Sequence, residues 1–162
     1  MGEIISDSKQ AATQIAQFVC FKLAHEEYAI DINCVQEVIR PQEITQLPQL
    51  PDFVLGVVNI RGSVVPLFDL RKKLNLAEKA LDDHSRMILV QIDGVPGCYL
   101  VDEILDNIKL DGSKIDPAPD VRMSIPKECV RGLGVVDSRM IVIIDHVAVN
   151  RAMGDEIASR LG

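Results

Sequence analysis

The chain has 162 residues, of which 48% are hydrophobic and only 4% aromatic, and its formal net charge is −7. This acidic balance argues against nucleic acid and against an anionic membrane surface as partners, because both require clustered Lys and Arg. No segment approaches the roughly 18 apolar residues of a membrane span, and the first ten residues lack the basic and apolar regions of a secretory signal. A cytoplasmic protein without direct membrane insertion is therefore expected.

The first strands follow a polar N-terminal segment. Residues 1–16 are expected to form a tail or a short helix. Phe18–Leu23 and Tyr28–Ile32 alternate apolar and polar side chains, which is typical of strands with one buried face. The polar residues between them predict a turn, so these two strands are expected to form a hairpin.

A short helix is expected after this hairpin. Val35, Val38 and Ile39 recur at the spacing of one helix face, and the side chain of Asn33 can cap the helix. Pro41 has no backbone N–H and cannot continue the hydrogen-bond ladder, so it is expected to end the helix.

A second hairpin is predicted from Val54–Ile60 and Val64–Phe68. Gly62 permits the positive φ that a tight turn needs, and Asn59 can brace the turn through a hydrogen bond from its side chain to the backbone. Arg61 is then presented at a rigid turn, where it can form a charged contact.

The second half of the chain repeats this order of elements. Its strands are predicted at Met87–Ile92, Cys98–Val101, Val130–Val136 and Met140–Ile144. Ile104, Leu105 and Ile108 resemble the first short helix. Asp69 and Asp145 each follow the last strand of their half and are expected to cap a helix by accepting backbone N–H groups.

An internal repeat accounts for this order. Phe18–Ile39 aligns with Met87–Ile108 at an offset of 69 residues, and Val54–Asp69 aligns with Val130–Asp145 at an offset of 76. The class is mostly β, with two small barrels and a groove between them that is suited to hold a partner. The expected division is a tail or short helix over 1–16, a β domain over 17–150 with subdomains at about 18–83 and 87–150, and a helix over 151–162.

Motifs of catalysis and metal binding are missing from the sequence. It contains no glycine-rich phosphate loop, no H-E-x-x-H and no G-x-S-x-G, and its three His are far apart. The four cysteines, which are Cys20, Cys34, Cys98 and Cys129, lack metal-site spacing and are expected to be buried thiols. A hydrolase or transferase with a carboxylate site and a self-assembling β-protein remain as alternatives to a binding module.

A longer pattern carries a family resemblance. Gly56–Leu70 reads G-x-x-N-x-R-G-x-x-x-P-x-x-D-L, and other matching segments lie at the expected spacing along the chain. These segments are Glu27–Ile32, Val35–Val38, Val101–Asp102, Ile115–Pro119, Gly132–Gly134 and Arg139–Ile141. With this ordered series the chain resembles the CheW family, whose members are coupling proteins of bacterial chemotaxis.

The resemblance implies a fold of two intertwined five-stranded SH3-like β-barrels with short helices and a C-terminal helix. It implies a non-catalytic scaffold without a cofactor or a metal. The implied partners are the cytoplasmic hairpin tip of chemoreceptors and the regulatory domain of the histidine kinase CheA. The protein would be a cytoplasmic monomer in solution that is recruited to receptor arrays at the inner face of the membrane. The alternative is a coupler in a non-flagellar chemosensory pathway, such as one that controls pili.

The resemblance also assigns site residues. The receptor-binding positions are Val35, Glu37, Arg61, Met87, Ile88 and Ile104. The kinase-binding positions are Ile39, Gly56, Asp120 and Val121. Glu37 and Arg61 are expected to form an ion pair at the rim of the groove, and this pair would orient Arg61 more than it would stabilise the fold.

Overall fold

The computed structural model describes residues 15–117 and 126–161, with side chains up to residue 156. Within these ranges the strands are β1 Ile15–Leu23, β2 Glu26–Asp31, β3 Val35–Ile39, β4 Val54–Ile60, β5 Ser63–Asp69, β6 Arg86–Ile92, β7 Val95–Val101, β8 Glu103–Asp111, β9 Ile115–Asp116, β10 Val130–Val136 and β11 Arg139–Ile144. The helices are α1 Leu70–Lys73 and α2 His146–Leu161, and short 3₁₀ turns are formed by Ile32–Cys34, Gly112–Lys114 and Lys127–Cys129.

The strands form two sheets, and each sheet contains strands from both halves of the chain. The five-stranded sheet has the order β3-β6-β7-β5-β4, and the six-stranded sheet has the order β8-β1-β2-β11-β10-β9. The hairpins β1–β2 and β6–β7 are thus exchanged between the halves, so the sheets do not follow the division at 18–83 and 87–150. The predicted class, mostly β with two intertwined units, is confirmed.

The two sheets are equivalent down to their register. Ala29 pairs with Ile143 where β2 meets β11 in parallel, and Cys98 pairs with Leu67 where β7 meets β5. Adding the offset of 69 to Ala29 gives Cys98, and subtracting the offset of 76 from Ile143 gives Leu67, so the repeat relates the two pairs. The structure therefore confirms the repeat, since equivalent strands of the two sheets pair in equivalent registers.

Three apolar clusters form the interior. One lies within the five-stranded sheet and another within the six-stranded sheet. The largest contains side chains from both sheets and both helices, including Phe21, Tyr28, Phe68, Ile88 and Tyr99, and we call it the inter-sheet core. Because it is shared, burial of its apolar surface holds the two sheets together.

The first predicted helix is wrong, because Val35–Ile39 is the strand β3. Its register against β6 shifts between Val35 and Glu37, which marks a β-bulge. The extra residue places Val35 and Val38 on the same face of the strand, and a spacing of three imitates a helix. Asn33 is not the predicted helix cap. It lies within the 3₁₀ turn Ile32–Cys34, which Asp31 caps by accepting a hydrogen bond from the Asn33 N–H.

The second predicted short helix is also a strand. Ile104, Leu105 and Ile108 lie in β8, whose pairing with β1 contains the equivalent bulge. The two predicted helix caps are confirmed, since Asp69 accepts from the Arg71 N–H at 3.0 Å and Asp145 accepts from the Ala148 N–H at 2.9 Å. The C-terminal helix consequently begins at His146, ahead of residue 151.

All four cysteines are free and buried, as predicted. Burial raises the pKa of the Cys20 thiol to about 11, and it raises the pKa of Cys34 and of Cys98 to about 12. Thiolates are the reactive form of cysteine, so these side chains are expected to be inert in the folded protein at neutral pH.

The same pKa shifts predict a loss of stability in alkali. The folded state holds these protons more tightly than the unfolded state, whose thiols titrate near their ordinary value of 9.0. Their contribution is complete below pH 9 and is lost progressively above it. We expect the urea midpoint, measured in the presence of a reductant, to fall between pH 9 and pH 11 more steeply in the parent protein than in Cys98→Ala. Equal slopes would contradict this explanation.

Candidate functional site

The edge strands β3 and β8 form two equivalent walls beside the inter-sheet core. β3 ends the five-stranded sheet and β8 ends the six-stranded sheet. Val35 on β3 and Ile104 on β8 are 69 residues apart, and both are partly exposed while they pack against the inter-sheet core. The structure thus places two of the predicted receptor positions at equivalent sites beside the same core, and we call the surface bordered by β3 and β8 the groove.

Val38 is a further groove residue that the sequence reasoning missed. Its partner in the register is Ile88, which belongs to the inter-sheet core, so Val38 faces the groove side of β3. Its side chain is 38% exposed. In a regular strand Val35 and Val38 would lie on opposite faces. Only the bulge puts them on the same face, so the sequence pattern of a strand does not identify Val38 as a groove residue.

Glu37 and Arg61 form the predicted ion pair. The Nη1 and Nη2 atoms of Arg61 donate to the two carboxylate oxygens of Glu37 at 2.7 and 2.5 Å, which is a bidentate arrangement. These bonds raise the pKa of the Arg61 guanidinium. The Arg61 side chain is 73% exposed, whereas that of Glu37 is 29% exposed. The pair therefore joins β3 to the β4–β5 turn and still leaves Arg61 open to a partner.

The turn that carries Arg61 is held as predicted. Arg61 has a φ of 51° and Gly62 a φ of 85°, both in the left-handed region. The side chain of Asn59 accepts a hydrogen bond from the Gly62 N–H at 2.9 Å. A two-residue turn of this kind matches the twist of the flanking strands, and it therefore fixes the direction in which Arg61 points.

A second ion cluster lies at the equivalent place of the six-stranded sheet, and the sequence reasoning missed it. Asp106 is equivalent to Glu37, and its two oxygens accept from Arg139 Nη1 and Nη2 at 2.9 and 2.8 Å. Arg139 Nε also donates to Glu27 on β2 at 2.9 Å. The hydrogen bonds from Arg139 lower the pKa of Asp106. Here one guanidinium serves two carboxylates.

Two of the predicted receptor positions have no exposed side chain. Met87 lies inside the five-stranded sheet and Ile88 lies in the inter-sheet core, each at 0% exposure. Both belong to β6, which pairs with β3. Their role in this structure is to support the wall that carries Val35 and Glu37, so we do not keep them as contact residues.

The predicted kinase-binding residues lie in different environments. Ile39 is half-buried on β3 and packs against the cluster of the five-stranded sheet. Gly56 is buried at a bulge of β4 with a φ of 147°, and a Cβ atom there would lie 2.2 Å from the carbonyl oxygen of Thr45. The fold alone requires this glycine. Asp120 and Val121 lie outside the described residues.

A buried ion cluster joins three distant parts of the chain near the β7–β8 junction. Arg71 Nε donates to Asp69 at 3.0 Å and its Nη1 donates to Asp102 at 3.1 Å, and all three residues are buried. Asp102 also accepts from the Ala24 N–H at 2.8 Å, and Arg71 donates to the carbonyl of Lys79. The cluster therefore ties the end of β5 to the β7–β8 junction and to the β1–β2 turn.

The clefts at the surface do not resemble a catalytic site. A wide polar cleft is lined by Arg40, Pro41, Asp82, Asp83 and Arg86. The bond from Lys79 lowers the pKa of Asp82 to about 2, so this carboxyl is poorly suited to act as a general acid. In the described ranges no three His, Cys, Asp or Glu side chains are grouped so that they could hold a metal ion. No helix in these ranges has the length and apolar character needed to span a bilayer.

Comparison with known proteins places the chain in a family. The model of the CheW-like domain matches residues 17–152. The protein is 34% identical to the chemotaxis protein CheW of Klebsiella aerogenes, with 90% of this chain and 88% of the relative covered, and 34% identical to that of Helicobacter pylori, with 88% and 86% covered. The crystal structure of the scaffolding protein TtCheW from Thermoanaerobacter tengcongensis superposes with a TM-score of 0.74 at 35% identity, and covers 80% of this chain and 84% of that one. The chain therefore belongs to the family of CheW-like domain proteins.

Proposed function

We propose that this protein is a non-catalytic scaffold that couples the cytoplasmic tips of chemoreceptors to the histidine kinase CheA. The observation that carries the proposal is that β3 and β8 expose apolar side chains at equivalent positions beside the inter-sheet core, while the bidentate Glu37–Arg61 pair presents an exposed arginine from the β4–β5 turn next to β3. Membership of the CheW-like family and the names of its relatives support the same role. The protein would act in the cytoplasm and be recruited to receptor arrays.

A helical hairpin is a suitable occupant for this groove. Val35, Val38 and Ile104 are partly exposed apolar side chains on β3 and β8 beside the inter-sheet core, and an amphipathic helix could bury its apolar face against them. Arg61 offers an exposed guanidinium at the rim, and arginine is common among the few residues that dominate binding energy.

The kinase would bind elsewhere on the scaffold. We propose that Ile39, Asp120 and Val121 contribute to this second surface, and that Gly56 contributes through the bulge that it allows in β4. Separate surfaces are necessary for coupling, because the scaffold has to hold both partners at once. The pathway, flagellar or not, would be set by which receptors and which kinase are bound.

The Arg61 assignment predicts a selective loss of coupling. Arg61→Ala is expected to weaken co-sedimentation with receptor-bearing membranes about tenfold while it leaves CheA binding unchanged, because an arginine anchor is removed from one surface only. Kinase autophosphorylation measured in the same tubes should lose its dependence on the receptor. Folding should be unaffected, since this side chain is 73% exposed.

Arg151→Ala is the matched control, because it removes an exposed arginine from α2, away from the groove walls. It should sediment like the parent protein. Equal binding by Arg61→Ala and the parent would remove Arg61 from the site. Failure of the parent protein itself to bind either partner would refute the proposed function.

A further inference from the structure

Arg86, the first residue of β6, lies between the end of β3 and the start of β8. It lines one cleft together with Arg40 and Pro41, which directly follow β3. It also lines a second cleft together with Glu103 and Ile104, which are the first two residues of β8. A single arginine therefore borders both edge strands of the groove.

The alternation of side chains along β6 agrees with this place. Residues two apart in a strand share a face, so Arg86 lies on the same face as Ile88, which belongs to the inter-sheet core. Val38 on β3 pairs with Ile88. Two steps further along the same register, Arg40 lies opposite Arg86, just beyond the end of β3. On this face the partly exposed valine is therefore followed by two arginines.

The guanidinium of Arg86 is held in place but is not neutralised. Its Nη1 atom donates to the carbonyl oxygens of Asp83 and Ser85 at 2.8 and 2.7 Å, and the side chain is half-buried. Nε and Nη2 lie along the other edge of the group and make no hydrogen bond within the described residues, where Arg86 also forms no ion pair. Two parallel donors of this kind match a carboxylate.

Three carboxylates line the two clefts, and none of them forms an ion pair with either arginine: Asp82, Asp83 and Glu103. Asp82 is bound to Lys79 at 2.9 Å. Glu103 lies opposite Lys22 in the strand register and 3.8 Å from Nδ1 of His84. Like charges that face each other across two strands are unfavourable, and within the described residues nothing relieves this one. A carboxylate supplied by a partner would do so.

We propose that Arg86, with Arg40 beside it, receives an acidic side chain of the receptor hairpin. The apolar face of the hairpin lies against Val38 and Ile104, and its carboxylate accepts from Nε and Nη2 of Arg86. The inference rests on the proposed function and names the chemistry of the partner. An arginine that is already fixed in place loses little freedom on binding, which makes it a strong anchor.

The first test compares variants of Arg86 in a titration with a soluble chemoreceptor signalling fragment. Arg86→Gln is expected to bind the fragment about tenfold more weakly and CheA as tightly as the parent protein does. Arg86→Lys should lie between the two, because lysine keeps the charge but cannot form the paired bonds. Arg151→Gln is the matched control, since it removes the same charge from an exposed position on α2 and should bind like the parent. Circular dichroism and urea unfolding check that each variant is folded.

The second test is a double-mutant cycle between the two proteins. Each Asp or Glu near the tip of the fragment is replaced in turn by Asn or Gln, and every fragment is titrated with the parent protein and with Arg86→Gln. One replacement is expected to weaken binding to the parent about fivefold to tenfold and to have almost no effect on binding to Arg86→Gln. Such a loss of additivity identifies the carboxylate that contacts Arg86.

The outcomes separate the two proposals. If Arg86→Gln binds the fragment like the parent, or if every acidic replacement costs the same with both proteins, the inference is refuted and the coupling function stands. Weaker binding of Arg86→Gln to CheA with unchanged binding of the fragment would assign the cleft to the kinase and would also refute it. If the parent protein binds no receptor fragment, the proposed function fails and the inference fails with it.

Discussion

Replacing Arg71 with Met is expected to lower the free energy of unfolding by about 3–5 kcal/mol. The variant leaves Asp69 and Asp102 buried without their cation, at 1% and 6% exposure. Removing one partner of a buried ion cluster is costly because the remaining charge has neither water nor a counter-ion. The measurement is urea unfolding at neutral pH, followed by circular dichroism.

Two further measurements distinguish this cause from a simple loss of packing. The triple variant with Asp69→Asn and Asp102→Asn should recover part of the loss. Lys72→Met is the control on the same helix, since its ion pair with Glu78 is partly exposed and should contribute at most about 1 kcal/mol. A loss of stability that is undiminished in the triple variant would point to packing instead.

Gly56→Ala is expected to destabilise the protein by about 3 kcal/mol, from backbone strain and a direct clash. The φ of 147° is unfavourable for any residue with a side chain, and the new Cβ would lie 2.2 Å from the backbone oxygen of Thr45. A Cβ at the equivalent Gly132 would lie 2.5 Å from Ile115 Cγ2 and 2.7 Å from Asp116 O, so alanine there is expected to clash without the added backbone strain. Thermal and urea unfolding of both alanine variants would measure the effect.

Gly112→Ala is the matched control, because a Cβ there meets no atom within 4 Å and the φ is not in the left-handed region. It should change stability by no more than about 0.5 kcal/mol. A stable Gly56→Ala protein would mean that β4 can relax at its bulge. If Gly56→Ala is unstable, a loss of kinase binding in Gly56 variants would reflect a damaged fold. A kinase contact at this position would then have to be tested by substituting neighbouring residues.

The strands could be predicted because apolar and polar side chains alternate along each of them, and the turns could be predicted from their characteristic residues. The order of these elements then made the repeat visible. The errors at Val35–Ile39 and at Ile104–Ile108 share one physical cause. A bulge adds one residue to a strand, so the apolar side chains on one face are three apart instead of two. This spacing also fits a helix, and only pairing with β6 and β1 decides between them.

The groove was predictable in part. Glu37 and Arg61 could be paired because the family resemblance already placed both at one face. Arg139 and Glu27 are 112 residues apart, and Arg71 and Asp102 are 31 apart, so nothing local in the sequence joins either pair. Met87 and Ile88 were predicted to line the groove, but their side chains are buried. An apolar residue on a strand gives the same sequence pattern whether it faces a groove or the core.

The exchange of hairpins between the two sheets has a consequence for how the molecule comes apart. The chain has the connectivity of a domain-swapped dimer of two half-length units whose subunits have been fused into one polypeptide. Neither half of the chain forms a complete sheet, so unfolding either half removes strands from both sheets, and the whole is expected to unfold in one cooperative step. Under the proposed function both partners would be held on one rigid body, because the exchanged hairpins leave no joint at which the two halves could separate.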